Sequence, residues 1–466
     1  MRRTACGEPR AGNGARGTAC GEQRSASGER RTVIDEAPVK KPHDSRKLWI
    51  LMITAFIDMV GLLMVIPILP FYAKELGAGG LIVGMLVSSF AVAQLLSAPM
   101  WGRFSDAYGR RPALLVGLAA SAIAYVVFGF AHSLALLFVS RLVQGAGGGT
   151  VSVIQAYVAD ATEPQDRAKA LGWLSAATNA GVAIGPLLGS ISSQWGREAP
   201  GLFAAGLCVI NMAFAWRFLN ESRDMTEAAE AKANPAPRGR SRDAIVHVIT
   251  HSADPASRLI WIYAIAMGAF QGVMSMLALY LAVRFEVTAK TIGFFFAYTG
   301  VISVLTRALI LGRMVDKYGE ARLSRFGSAL LAIGIASLAF IRPLSDPSGV
   351  AAALGGLLPP SAVVFLPYLP LALAVALLPL GTAFTFPCVT AMLSHVISSR
   401  ERGLYMGVQQ TFGGFARVCF PILFGWLFDK YLPLPFLLAA GLVGLTIYLG
   451  LGTERYVKPE VVRAHD

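Results

Sequence analysis

Charge is scarce in this chain. Asp, Glu, Lys and Arg supply 15% of its 466 residues and hydrophobic residues 55%, whereas a soluble globular domain carries about 25% charged residues. The composition points away from water. Cysteine is scarce too: Cys6, Cys20, Cys208, Cys388 and Cys419 form no CxxC pair, so neither a disulfide framework nor a zinc site is indicated. Histidine numbers only six, and His132, His247 and His251 fall between apolar runs. No soluble catalytic constellation and no GxxxxGK[ST] phosphate loop is present. The expectation is a chain that is not an enzyme, with no catalytic residues, no metal, no cofactor and no use of ATP. The first 47 residues lack the apolar core of a cleaved signal peptide, so the first apolar run would act as the insertion signal. They are rich in Gly and Arg and repeat TACGE at 4–8 and 18–22, which reads as a disordered basic tail.

Long apolar runs are what the chain has instead. Stretches able to cross a hydrocarbon core about 30 Å thick recur from Leu48–Tyr72 to Leu434–Leu451. They number about twelve, six on either side of a polar interval at 220–258 that carries Pro, Gly and charges of both signs. The reading is an all-α membrane protein with two pseudo-symmetric six-helix bundles, at 48–219 and 259–452. Residues 1–47 and 453–466 would be cytoplasmic tails and 220–258 a cytoplasmic linker.

The net charge of +13 suggests nucleic acid until its distribution is followed. With the N-terminus placed inside, one set of turns holds Arg103, Arg110, Arg111, Arg167, Lys169, Arg313, Lys317, Arg322, Arg400 and Arg402. The opposite turns hold mostly single charges, such as Lys74, Arg197, Arg284 and Lys430. This is the positive-inside bias, so both termini are expected in the cytoplasm and no nucleic-acid partner is expected.

The two halves repeat. GRFSDAYGRR (Gly102–Arg111) follows the second span and GRMVDKYGEA (Gly312–Ala321) the eighth, with Gly312, Asp316 and Gly319 matching Gly102, Asp106 and Gly109. DRAKALG precedes span five and ERGLYMG span eleven, and Pro186 follows Arg167 at the distance at which Pro421 follows Arg402. Parallel repeats of this kind occur in twelve-helix alternating-access transporters.

Over residues 48–452 the chain resembles the major facilitator superfamily, and within it the drug:proton antiporter branch. Gly102-x3-Asp106-x2-Gly109-Arg110-Arg111 is similar to the superfamily's signature loop. Arg141-x2-Gln144-Gly145-x-Gly147 is similar to the second motif of that branch, and Gly181-x3-Gly185-Pro186-x2-Gly189 to its antiporter motif. Asp58-x2-Gly61-x5-Pro67-x2-Pro70 resembles the first span of tetracycline and multidrug efflux proteins. The resemblance implies that the loop is a conformational latch, with Asp106 reaching the N-terminus of the eleventh helix near Gly403 when the cytoplasmic side closes. A carboxylate there gains roughly 0.3–1 kcal/mol from the helix dipole. It also implies an outer gate between the bundles at Gly181, Gly185, Pro186 and Gly189. Tetracycline exporters carry acids in spans three and nine; this chain has none there, so tetracycline is not the expected substrate.

Ionisable groups at bilayer depth are functional candidates because they are expensive there. Asp58 lies ten residues beyond Leu48, about 15 Å deep, and Arg141 is expected within about 5 Å of that level. They are expected to couple proton movement to transport, burial disfavouring the charged carboxyl and the guanidinium favouring it; a static buried ion pair is the alternative. Arg417 is too deep to reach the headgroups and is expected to meet an anionic group of the substrate, whereas Arg307 is expected to snorkel. Gln144, Asn179, Gln271 and Gln410 are candidates to line the cavity beside Arg417, each equally able to join helices by hydrogen bonds. The expected whole is a monomer in the plasma (inner) membrane, with lipid, protons and a small-molecule substrate as its partners. Driven by the proton gradient, it would export an amphiphilic compound. The alternatives are an importer of a small organic solute or a transporter-like sensor that moves nothing.

Overall fold

The computed structural model describes residues 45–162, 166–221, 240–342, 368–398 and 401–455. The expected N-terminal tail, most of the linker, Arg400 and the start of the tenth apolar run lie outside the described residues. Among the described residues the chain is helical throughout, without strands.

The first half contains α1 (Ser45–Val65), α2 (Leu69–Glu75), α3 (Gly80–Tyr108), α4 (Arg110–Gly129), α5 (Leu134–Ala146), α6 (Thr150–Ala161), α7 (Arg167–Ser192) and α8 (Ala199–Phe218). Pro67, which has no N–H to give a preceding carbonyl, falls in the turn between α1 and α2, so the two form one broken span. Likewise α5 and α6 are one span interrupted at Gly147–Gly149. The second half contains α9 (Arg240–Thr250), α10 (Pro255–Phe285), α11 (Ile292–Leu305), α12 (Leu311–Tyr318), α13 (Glu320–Phe340), α14 (Leu369–Val396), α15 (Arg402–Lys430) and α16 (Leu434–Leu449). One π-helical turn, Thr306–Ile310, joins α11 to α12 within a single span.

Among the described residues, eleven spans are long and apolar enough to cross a membrane, and the shorter apolar α16 adds 16 residues. Exposed Trp49 and Trp216 ring one rim and Trp195 the other, where indole sits well between lipid and water. Part of the expected linker is helical: α9 packs Ala244 and Val248 into a cluster with Leu259, Tyr263 and Val408.

Each half is built largely on itself. In the first, α1 packs on α7 and α8, α3 on α5, and α4 on α5 and α8; in the second, α10 packs on α14, α15 and α16, and α13 on α14 and α16. The main contacts between halves are α3 with α15 and α7 with α11. The side on which α1 starts is the basic side; the other is the far side. The two halves meet along the far side, whereas a Cβ at Gly312, Gly403 or Gly407, toward the basic side, would meet nothing within 4 Å.

Candidate functional site

Asp58 is buried on α1, and its Oδ2 accepts a hydrogen bond of 2.8 Å from Thr150 Oγ. Thr150 is the first residue of α6, so the carboxylate stands at the positive end of a half-helix. The break that creates this end follows from glycine. Gly145, Gly147, Gly148 and Gly149 let α3 and α4 approach so closely that a Cβ at Gly145 or Gly147 would lie 2.8 Å from Ala93 or Ala120. The carbonyls freed at the break are taken up from α3: Trp101 Nε1 donates to Ala146 O, Gln94 Nε2 to Gly148 O (3.3 Å) and Ser97 Oγ to Gly145 O (3.4 Å). Asp58 also lines a cavity of about 240 Å³, together with Met59, Gln155, Ser175, Thr178 and Asn179.

Arg141 is buried on α5 but makes no ion pair with Asp58. Its guanidinium stands over the Phe128 ring, 5.4 Å from the centroid, with Nη2 3.4 Å from Ser140 Oγ and Nε without a partner. The reason is depth. Arg141 lies twenty residues from Ala161 at the basic end of its span and Asp58 thirteen from Ser45, about 30 Å against about 20 Å. Depths taken from the apolar runs, which are shorter than the helices, put the two within about 5 Å of one level. Thr150, not among the sequence candidates, holds the acid instead.

In the signature loop, Gly109 adopts φ +101°, a conformation that L side chains rarely take. Arg110 bridges two carboxylates, Asp106 and Asp160, each at 2.9 Å. The backbone N–H groups of Arg110 and Arg111 donate to the Glu221 carboxylate at 2.8 and 3.0 Å, and Arg111 donates to Trp216 O. The loop is thus stapled to the ends of α6 and α8, and Gly102 and Asp106 are exposed at its rim. Gly403, the expected partner of Asp106, stands in open space. Asp160 and Glu221 were missed, although each is an acid on the basic side, where it gives no topological advantage. The second copy is tied differently: Gly312 and Asp316 are exposed, Gly319 again turns at φ +74°, and just beyond it Arg322 and Arg325 pair with Glu454 after α16.

The glycines of the antiporter motif do not themselves join the halves. A Cβ at Gly181 would lie 2.7 Å from Phe56 O, and one at Gly185 2.8 Å from Val60 O, so both are pressed on α1, and Gly189 likewise meets Met64. The other face of α7 forms the junction. Ala183 meets Gly300, the Pro186 carbonyl meets Gly293, and Ser190 Oγ accepts from Gly293 N (2.7 Å) while donating to Ala289 O (2.8 Å). Its counterpart is the α3–α15 seam. There the Pro421 carbonyl meets Gly84, Ser88 Oγ donates to Val418 O (2.6 Å), and the Asp429 carboxylate accepts from Gly80 N (2.6 Å) and Leu81 N (2.8 Å). On the far side, then, each half caps the start of a helix in the other, once with a hydroxyl and once with a carboxylate.

Arg307 does not snorkel. The π turn carries its span on to Tyr318, leaving Arg307 eleven residues, about 16 Å, from the basic end. Its Nη1 donates to Asn179 Oδ1 on α7 at 3.0 Å, and its Nε is buried without a partner. Arg417 is half-buried on α15 and has no hydrogen bond or ion pair among the described residues. Of the expected cavity amides, Asn179 lines the cavity, Gln144 is buried near Tyr125, Gln271 is half-buried and Gln410 is exposed. Asn211 and Gln409 join helices, to Thr54 O at 3.0 Å and Thr390 Oγ at 3.3 Å.

Comparison with known proteins agrees with this architecture. The Multidrug resistance protein 2 of Bacillus subtilis is 26% identical over 419 residues, 89% of this chain and 96% of that protein. The class B Tetracycline resistance protein of Escherichia coli is 24% identical over 388 residues, 83% of this chain and 89% of that one. The crystal structure of the human organic anion transporter MFSD10 superposes with a TM-score of 0.57 at 22% identity, covering 88% of this chain and all of that one. The profile of the Major Facilitator Superfamily matches residues 51–358. With eleven membrane-length apolar spans among the described residues and that match over most of its length, the chain belongs to the Major Facilitator Superfamily of transporters.

Proposed function

We propose that the protein is a proton-coupled exporter of an amphiphilic drug-like or metabolite molecule. It works by alternating access in the plasma (inner) membrane as a monomer surrounded by lipid, with its basic side in the cytoplasm. The observation that carries this reading is Asp58, a buried carboxyl at the start of a half-helix that also lines a cavity. Discontinuous helices at membrane depth are where secondary transporters hold their coupling ions. Water or substrate entering the cavity reaches Asp58 directly, so loading a proton and loading a substrate compete for one space. The similarity to multidrug and tetracycline resistance proteins supports export.

On this reading the closed far-side caps and the parted basic side are those of an inward-facing state. Export requires those caps to open and Asp106 to reach the start of α15. Arg141, packed on Phe128 nearer the far side, is positioned to draw on a deprotonated Asp58 only after the first half rearranges.

The test is drug-induced proton movement in everted vesicles. Asp58→Asn should abolish uphill transport and proton release while retaining substrate binding. Wild-type coupling in Asp58→Asn would refute the carrier role. Flux independent of protons favours a uniporter or importer, and no flux of any compound in proteoliposomes favours a sensor.

A further inference from the structure

Arg307 is an under-compensated cation at depth. Among the described residues its only hydrogen-bond partner is a neutral amide, Asn179 Oδ1 at 3.0 Å across the junction of the halves. A guanidinium offers five donors in a planar fork. Here Nη1 is used, Nε is closed off without a partner, and Nη2, which makes no bond, is not sealed from accessible space. The open Nη2 carries two charged N–H donors, which suit an oxygen of a carboxylate, sulfonate or phosphate. Two further observations point the same way. Arg307 is presented by the π turn Thr306–Ile310, a backbone form enriched at functional sites. Its partner Asn179 also lines the 240 Å³ cavity that holds Asp58, and its Nδ2 is fixed by Ser175 O at 2.8 Å, so its Oδ1 is aimed at Arg307.

We propose that Arg307 recognises an oxyanion on the transported molecule through its open Nη2 group, with Asn179 orienting the guanidinium. The transported compounds would then be amphiphilic acids, their apolar body accommodated by cavity residues such as Met59 and Leu174. This rests on the transport reading but not on proton coupling. It adds a charge contact, distinct from Arg417, that depth estimated from apolar runs had hidden.

A matched pair of probes tests it: dansyl-6-aminohexanoate and its methyl ester, binding to the purified protein in nanodiscs. The wild type should favour the acid by about tenfold or more, the scale of hydrogen bonds to a charged group. Arg307→Gln should reduce that preference to near unity while leaving ester affinity unchanged, which also reports an intact fold. Asn179→Asp should do the same by presenting Arg307 with a carboxylate of the chain's own. Arg307→Lys should retain only part, because a point charge replaces the fork. Asp58→Asn should keep the full preference, so failure of proton coupling would leave this result standing. A wild type that binds neither probe, or both alike, overturns the proposal, as does a preference unchanged in Arg307→Gln. A preference lost only in Arg417→Gln transfers the role to Arg417 and equally overturns it.

Discussion

Replacing Asp429 by Asn keeps the shape of the side chain and removes its charge. In the closed far side this carboxylate receives two backbone N–H groups at the first turn of α3, at 2.6 and 2.8 Å. An Asn can offer one carbonyl oxygen to the same turn but neither the second acceptor nor the charge. Bonds to an ionised acceptor are roughly twice as strong as neutral ones, and the helix end adds about 0.3–1 kcal/mol. Asp429 is exposed, so water and salt screen much of this, and about 1 kcal/mol is a reasonable loss. That is about a fivefold shift toward the far-side-open state. The assay is the rate of maleimide labelling, from the far side, of a thiol placed at Ser88, a residue buried behind the cap. Gly84→Ala is the positive control, because a Cβ there would overlap the Pro421 carbonyl and must part the seam. High salt should mimic Asp429→Asn in part. Ser190→Ala, which removes a neutral cap, should raise access without a salt dependence. Unchanged labelling in Asp429→Asn, with Gly84→Ala labelled faster, would refute the latch.

Three further outcomes are expected. Asp106→Asn should favour the basic-side-open state and lower transport while leaving the protein in the membrane; equal turnover with equal thiol access on that side would contradict it. Arg417→Ala should weaken the apparent affinity for transported anions several-fold, and unaltered affinity for every compound would make Arg417 structural. Arg110→Lys cannot bridge Asp106 and Asp160 with a fork; a loss of about 1 kcal/mol should lower the thermal midpoint by a few degrees, read by size-exclusion after heating.

The spans, the two halves and the repeated turns were legible because they rest on local composition and fixed spacing. Pro186 and Pro421, matched by distance alone, do occupy equivalent places, each presenting its carbonyl to a glycine of the other half. What was not legible depended on where helices end and on contacts between distant segments. The span holding Arg307 continues beyond its apolar run to Tyr318, and hydropathy does not register that extra length. Asp58 finds Thr150 rather than Arg141 because the glycine break sets which residue starts α6. Asp429 and Gly80 are 349 residues apart, and nothing local in either marks the other.

The π turn has a consequence for how alike the halves remain. Gly84 stands eighteen residues before Gly102, while Gly293, its equivalent against the other proline, stands nineteen before Gly312. The wide turn accommodates that one added residue without breaking the helix. One residue is about 100° of rotation, and the wide turn takes it up, so beyond the turn α12 keeps the facing of the corresponding part of α3, with Gly312 and Asp316 exposed as Gly102 and Asp106 are. If the halves descend from one duplicated ancestor, an insertion, and not only substitution, has separated their inner ends. A chimera carrying residues 84–102 in place of 293–312 would thus be one residue short. Because the wide turn leaves with its extra residue, it should keep both the far-side seam and the facing of the basic-side loop while losing Arg307.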